Sequence, residues 1–338
     1  MIVSYRTRQF SKRLWRVILV LALVAVMLVL CWALWLRRFI VYTTDGVRLD
    51  FDLTQEFPQG QTAPTNQPLS PPDIYFTDPE PSKPPVVEDN AGFSGYYVTV
   101  EELQTQLDTV LEQILALPED TPVMVDVKGY WGYFYYTSAL GTGSSSFDMA
   151  VMDAFFAAVN ASGVHTIARL PAFRDYDFVD KNYACSLKTA NGNHFVDDGR
   201  CYWADPALEK VQVYLVQITR ELRDLGFDEV AFTDFCFPDS PKLVYNGDRE
   251  QALQAAANTL LSAFGQEDFV ISFITTDPSF ALPDGNCRLY LQDIAAADVQ
   301  AVLSAMDPDV VERTVFFSSS NDTRFDACGV IRPLKMAE

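Results

Sequence analysis

Histidine is nearly absent. Only His165 and His194 occur in 338 residues, with no HExxH word and no paired CxxC, so neither zinc-hydrolase chemistry nor a zinc-held fold is indicated and no metal is expected. Nucleotide-cradling glycine loops are missing too: there is no GxGxxG and no Walker sequence, and no cofactor is expected. Cations are scarce, with 25 Lys and Arg against 45 Asp and Glu for a net charge of −20. That balance argues against a broad basic face and excludes nucleic acid as a partner. The 49% hydrophobic and 21% charged residues are those of a globular chain.

One long hydrophobic run is present. Val17 to Leu36 holds twenty residues without a charge, the length that crosses a ~30 Å hydrocarbon core as a helix. Arg6, Arg8, Lys12, Arg13 and Arg16 precede it and only Arg37 and Arg38 follow closely, so the positive-inside bias places the N-terminus in the cytoplasm. The alternative is a cleaved signal peptide, but the run ends in Trp-Leu-Arg-Arg rather than in small residues. Residues 1–16 are therefore read as a cytoplasmic basic tail and 17–36 as a single-pass transmembrane helix in the cell membrane, with everything beyond lying extracytoplasmic. Residues 1–40 hold seven cations and no acid, which leaves 18 cations against 45 acids, or −27, in residues 41–338. Such a charge favours a neutral or cationic ligand and says nothing about fold.

Residues 37–94 read as a juxtamembrane segment and linker. Phe39 to Asp52 alternates and turns at Asp45-Gly46, which suggests a short hairpin. Nine of the 19 prolines fall in 55–94, and such density favours extended polyproline-like chain.

From Gly95 to Glu338 short apolar runs alternate with helical stretches. Strands are predicted at 95–99, 122–128, 164–170, 228–236, 268–275, 287–292, 313–319 and 327–332, with helices at 101–117, 148–162, 205–225, 248–264 and 296–306. The clearest helix is 205–225: Asp205 would cap it, Pro206 would open its first turn, Leu208, Val211, Leu215, Ile218, Leu222 and Leu225 form a stripe, and Gly226 would stop it. Eight strands with helical crossovers in about 245 residues fit an α/β fold of the (β/α)₈ TIM-like barrel kind, with an open doubly wound sheet as the alternative. The barrel would place chemistry at the C-terminal strand ends.

Those ends carry candidates. Met124, Asp126 and Lys128 share one face of the second strand. Asp126 is either a catalytic carboxylate or a structural partner of Lys128 or Arg169. The run Tyr130 to Tyr136, with Trp131 and Tyr133, is either a sugar-stacking platform or a buried loop. Arg169 ends the third strand, and its planar fork suits orienting a carboxylate or an anionic ligand. Asp234 ends the fourth. Cys185 with Cys201 is the preferred disulfide and Cys287 with Cys328 a weaker one. Cys236 with His194 as base would make a thiol hydrolase, against the commoner role of cysteine as a buried structural residue.

The words Asp126-Val127-Lys128, Ile167-Ala168-Arg169, Phe173-Arg174-Asp175, Trp203-Ala204-Asp205-Pro206 and Gly226-Phe227-Asp228-Glu229 through Phe237-Pro238 occur in that order. Over residues 95–240 they resemble a glycoside-hydrolase-like TIM-barrel family of exported bacterial proteins, long catalogued as a domain of unknown function. The resemblance implies a barrel related to sugar-cleaving enzymes with the fourth-strand Asp catalytic, and a polysaccharide or cell-wall glycan as partner. Asp126 and Asp234 are the expected catalytic pair, with Asp205, Asp239 and Asp277 as loop substitutes. Lys128 and Arg169 would tune the pair and, with Thr233, contact substrate, and Trp131, Tyr133 and Trp203 would stack on sugar. The family's fourth strand ends approximately Phe-Asp-Tyr-Val-Arg-Phe-Pro, so without a gap Thr233 replaces the Asp and Cys236 the Arg. With Ala231 and Thr233 facing inward, Asp234 has the wrong parity unless a bulge or a deletion restores it. Nor does the later strand Ile271 to Thr275 end in a carboxylate. Two functions therefore compete: a membrane-anchored hydrolase of envelope or surface polysaccharide, and a degenerate barrel that binds glycan or an envelope protein.

Overall fold

The computed structural model describes residues 40–43, 46–49, 93–265 and 268–334. The expected transmembrane run, the basic tail and the proline-rich linker lie outside these residues, and among the described residues no helix is long and apolar enough to cross a membrane. The chain divides into two units, Met1–Phe76 and Thr77–Glu338. In the first, Ile40–Thr43 pairs antiparallel with Gly46–Leu49. The expected hairpin is present, with Gly46 inside its second strand, opposite Thr43, rather than in the turn.

The second unit is a closed barrel of eight strands: β1 (Ser94–Val98), β2 (Pro122–Asp126), β3 (His165–Pro171), β4 (Glu229–Thr233), β5 (Val270–Thr275), β6 (Leu289–Gln292), β7 (Thr314–Phe317) and β8 (Val330–Pro333). Every neighbouring pair is parallel, and β8 closes on β1. This is the (β/α)₈ barrel, and the doubly wound alternative is excluded by closure. Side-chain alternation fills it from both faces. Met124, Ile167, Ala231, Ile274, Tyr290, Val315 and Ile331 pack together inside, one from nearly every strand. The intervening residues, among them Val123, Val125, Ala168, Leu170, Val230, Phe232, Ile271 and Phe273, join the larger core outside the strands. At Gly95 a Cβ would lie 2.2 Å from the Pro122 carbonyl oxygen, so the approach of β1 to β2 requires glycine.

Eight helices are described: α1 (Val100–Thr105), α2 (Leu107–Leu115), α3 (Met149–Asn160), α4 (Tyr176–Lys181), α5 (Glu209–Asp224), α6 (Arg249–Phe264), α7 (Val299–Ala305) and α8 (Pro308–Val311). The helix expected over 101–117 is two. Gln106, at φ −142°, leaves the helical basin, yet its N–H still bonds the Glu102 carbonyl at 2.9 Å, so the break costs no hydrogen bond there. Thr99 and Glu102 form a reciprocal capping box at its start. On α5 Val211, Leu215, Ile218 and Leu222 of the predicted stripe are buried, whereas Leu208 and Leu225 flank the helix, the first half-buried and the second exposed, and Gly226 at φ +96° ends the helix in the left-handed region. Asp205 does not cap it: its Oδ1 accepts from the Ala207 N–H at 3.0 Å in a local turn, and α5 begins four residues later.

A charged cluster fills the N-terminal end of the barrel. Fully buried Glu229 accepts from His165 Nε2 at 2.9 Å, Ser272 Oγ at 2.5 Å and Tyr290 Oη at 2.8 Å, and is bonded by Arg288. Burial alone would raise its pKa; the Arg288 cation and these donors pull it down to about 2.

Neither expected disulfide forms. Cys185 and Cys201 are separate buried thiols, and Cys201 Sγ donates to the carbonyls of Tyr130 at 3.1 Å and Tyr202 at 3.3 Å. The loop after β3 is held instead by main-chain pairing, including Leu187 N–H to the Trp203 carbonyl at 2.8 Å and a two-residue antiparallel ladder of Lys188–Thr189 with Leu243–Val244. The Cys287 thiol bonds the Pro283 carbonyl and receives Arg313 rather than joining Cys328.

Candidate active site

The C-terminal strand ends open into a cavity of about 370 Å³. Asp126, Lys128, Arg169, Thr233 and Asp234, all expected at the site, line it, together with Val100, Gly129, Tyr130, Tyr135, Arg174 and Gln292. A slightly larger cleft of about 410 Å³ lies against Ser94, Gln113, Leu117 and Arg332, and no carboxylate lines it.

Strand register puts Asp126 beside Arg169 and Arg169 beside Ala231, so these three point inward at one level while the small Ala231 leaves space. Arg169 Nη1 donates to Asp126 Oδ1 at 3.0 Å, and the Val100 N–H donates to Asp126 Oδ2 at 3.2 Å. The guanidinium lies 5.4 Å above the Phe317 ring, which is itself stacked on Tyr97, while its Nε is buried without a hydrogen-bond partner. Burial pushes the Asp126 pKa up, against the opposing pull of Arg169 and the Val100 N–H. Tyr135 is pushed up to about 12, first by burial and then by the Asp126 charge, and so stays a neutral hydroxyl.

Asp234 resolves the parity question. Ala231 belongs to the inner cluster and Thr233 lines the cavity, while Val230 and Phe232 face the outer core, as the alternation predicts. The strand pairs as far as Thr233 opposite Pro171. Asp234 then adopts φ +51°, a left-handed turn that breaks the alternation and brings its carboxylate to the same cavity. Neither a bulge nor a deletion is needed, because Asp is among the few residues that tolerate this conformation. Its Oδ2 accepts from Thr233 Oγ1 at 3.1 Å. Burial raises its pKa, offset by that hydroxyl and by the Arg174 and Arg169 charges.

Two expected roles change. Lys128 is committed elsewhere: its ammonium lies 2.6 Å from Asp175 Oδ2, both side chains buried. Asp175 also accepts from Tyr214 Oη at 3.1 Å and caps α4 through Phe178 N–H at 3.0 Å, so Lys128 anchors the wall rather than Asp126. Trp203 is buried at 5% exposure and donates its Nε1 to Asp197 Oδ2 at 3.0 Å; it cannot stack on sugar. Trp131 and Tyr133 are exposed but lie outside the cavity lining, as do Asp205, Asp239 and Asp277. Among the residues sequence reasoning did not assign is Arg174, whose Nε bonds Asp197 Oδ2 at 2.7 Å while its guanidinium stacks 4.2 Å from the Tyr130 ring centroid. Asp197 is opposed by burial but held below its usual pKa by the Cys201 N–H, Trp203 and Arg174. Gln292 was also missed, although its place at the end of β6 would have flagged it. Cys236 is exposed rather than a buried structural cysteine; desolvation by the surrounding atoms and the Asp234 charge push its thiol up to about 11, the reverse of what a nucleophilic thiolate needs, and His194 bonds Lys188 Nζ instead.

A closed parallel (β/α)₈ barrel with its strand ends opening into a polar cavity places the chain in the TIM-barrel class. The chain belongs to the family described as "Putative glycosyl hydrolase domain", which matches residues 95–276. Among solved structures it is similar to a hypothetical protein from Ruminiclostridium thermocellum, with 21% identity, TM-score 0.44, and coverage of 58% of this chain and 96% of that one. It is similar to the α-galactosidase from Lactobacillus brevis at 13% identity and TM-score 0.50, covering 73% of this chain and 38% of that one. The Thermus thermophilus α-galactosidase in complex with stachyose matches at 15% identity and TM-score 0.48, covering 73% and 62%. The chain thus covers less than two thirds of either α-galactosidase's length, and the Lactobacillus brevis likeness shows the fold alone. No curated protein matches.

Proposed function

We propose that this protein is a glycoside hydrolase anchored in the cell membrane through residues 17–36, with its barrel outside the cell acting on envelope or surface polysaccharide. The observation that carries the hydrolase reading is the meeting of Asp126 and Asp234 in one cavity at the mouth, both with pKa values raised by burial. Cleavage needs one carboxylic acid to protonate the leaving oxygen and one carboxylate to attack the sugar or activate water. Their partners divide these roles. Asp126 receives a guanidinium and a backbone N–H, donors that favour a carboxylate, so it is the nucleophile or base. Asp234 is held up chiefly by burial and accepts a single hydroxyl bond rather than a guanidinium and a backbone N–H, so it is the general acid. Arg169 orients Asp126, and Arg174 and Tyr135 complete the polar wall.

The competing reading, binding without cleavage, is favoured by the same Arg169–Asp126 ion pair, a contact that structural carboxylates also make. Fragment and reducing-sugar release from peptidoglycan and a polysaccharide panel by the full chain separates them. Release that disappears in Asp126→Asn and Asp234→Asn establishes a hydrolase; retention of glycan on pull-down without release leaves a binding barrel. The anchor is supported by the uncharged run and the flanking cations, and protease added outside intact cells should degrade the barrel while sparing the N-terminus.

A further inference from the structure

We propose that a ribbon of aromatic rings running from the cavity across the loops after β2 and β3 binds an uncharged polysaccharide chain, so that the substrate is a polymer gripped over several sugar units. This rests on the glycan reading of the adjoining cavity and adds the length and charge of what enters it. The ribbon begins at Tyr130, which lines the cavity. Its ring centroid is 5.4 Å from that of Trp131, Trp131 is 5.3 Å from Tyr176, Tyr176 stacks on Tyr202 at 5.0 Å, and Tyr202 meets Tyr183 at 6.1 Å. Tyr183 in turn lies 4.3 Å from His194.

These rings come from separate stretches of chain and form one continuous file: Tyr130, Trp131 and Tyr183 are 38%, 39% and 47% exposed, while the half-buried Tyr176 and Tyr202 link them, Tyr202 resting on the core. Large apolar groups left open to water in a contiguous patch mark a binding surface. The loops that carry them are fixed. The Tyr176 and Asp177 N–H groups bond the carbonyls of Tyr130 and Trp131 at 3.0 and 3.2 Å, and Gly132, at φ +87°, lies where a Cβ would come 2.5 Å from Asp175 Oδ1. Tyr183 Oη donates to Asp180 at 3.2 Å, and Lys188 Nζ donates to the Tyr183 carbonyl at 3.2 Å. A rigid array loses little freedom on binding.

The chemistry selects the ligand. Ring faces are negative, complementary to the C–H faces of a pyranose, and phenol hydroxyls supply polar edges. Of the cations along the ribbon, Arg174, stacked on Tyr130, is paired with Asp197 at 2.7 Å and Lys181 with Asp177 at 2.6 Å, while Lys188 bonds the Tyr183 carbonyl and His194; because residues 41–338 are strongly acidic, an anionic polymer is disfavoured. Continuity with the carboxylate-bearing cavity through Tyr130 makes the occupant a glycan rather than a protein.

The test is affinity electrophoresis of the full chain in detergent, with galactomannan, xylan and hydroxyethyl cellulose in the gel and pectin as the anionic control. At least one neutral polymer should retard both wild type and Asp234→Asn, and pectin should retard neither. Trp131→Ala and Tyr183→Ala, at exposed positions and checked for unchanged melting, should each weaken retardation about tenfold, and Trp131→Phe should restore most of it. Unaltered retardation of both alanine variants would overturn the ribbon and hand the patch to a protein partner; so would failure of all three neutral polymers to retard the wild type, or stronger retardation by pectin. Turnover of aryl glycosides and trisaccharides, abolished in Asp234→Asn, reads the cavity alone. A failed ribbon and a failed hydrolase are therefore separate results.

Discussion

Replacing Glu229 by Gln should destabilise the barrel strongly at neutral pH and remove most of an acid-sensitive component of its stability. Glu229 sits fully buried among His165, Arg288, Ser272 and Tyr290. Its pKa falls from 4.5 to about 2, and at 1.36 kcal/mol per unit this is worth about 3 kcal/mol. Removing one partner of a buried ion pair costs about 3–5 kcal/mol by the independent route of leaving the other charge uncompensated. The two routes agree in size. Because the folded pKa is depressed, the contribution is complete above the unfolded value and is lost as pH falls from about 4.5 through about 2. Urea unfolding followed by tryptophan fluorescence at pH 7 and across the acid range measures both. A Gln variant within about 1 kcal/mol of wild type at pH 7, or a wild type whose excess over Gln persists unchanged at pH 2, would refute the reasoning.

Asp234→Asn should keep the fold, since Asn also tolerates φ +51°, while hydrolysis falls about 10²–10⁴-fold; circular dichroism and product release read the two sides. The pH profile of kcat/KM should be bell-shaped, rising as Asp126 ionises and falling as Asp234 loses its proton, with both limbs shifted upward by burial from the usual Asp value. Arg169→Gln should move the acidic limb to higher pH, because the cation that favours Asp126 ionisation is gone. Gly132→Ala should cost about 1–3 kcal/mol by urea denaturation, from a positive φ and the crowding of Asp175. Cys185 and Cys201 should resist maleimide until unfolding, and reductant should not shift the melting temperature, since no bond joins them.

The eight strands were legible because each is a short apolar run bounded by turns, and the inward face of β4 followed from alternation alone. Period-two logic stops where the strand stops. It assigned Ala231 and Thr233 correctly and failed at Asp234, whose orientation is set by one backbone dihedral that no hydrophobic pattern encodes. Trp203 and Lys128 were misread for a related reason: their fates depend on Asp197 and Asp175, carboxylates on the loop after β3, and contacts across such loops leave no periodic trace. The same holds for the N-terminal cluster, where Glu229, Ser272, Arg288 and His165 come together from four strands or their edges and share no local motif. The disulfides failed because two cysteines in one loop fix neither distance nor direction.

The left-handed turn at Asp234 also constrains how this lineage can drift. Few side chains sit comfortably at that dihedral, chiefly Gly, Asn and Asp, and Asp is the one acid among them. A single base change in its codon gives Asn, which fits the turn as well and cannot donate a proton to a leaving sugar. On the hydrolase reading, cleavage can therefore be lost here at almost no cost in folding, while its return is confined to one amino acid. On that reading, the thermal stability of this protein and of its Asp234→Asn variant would carry no information about which of the two cleaves.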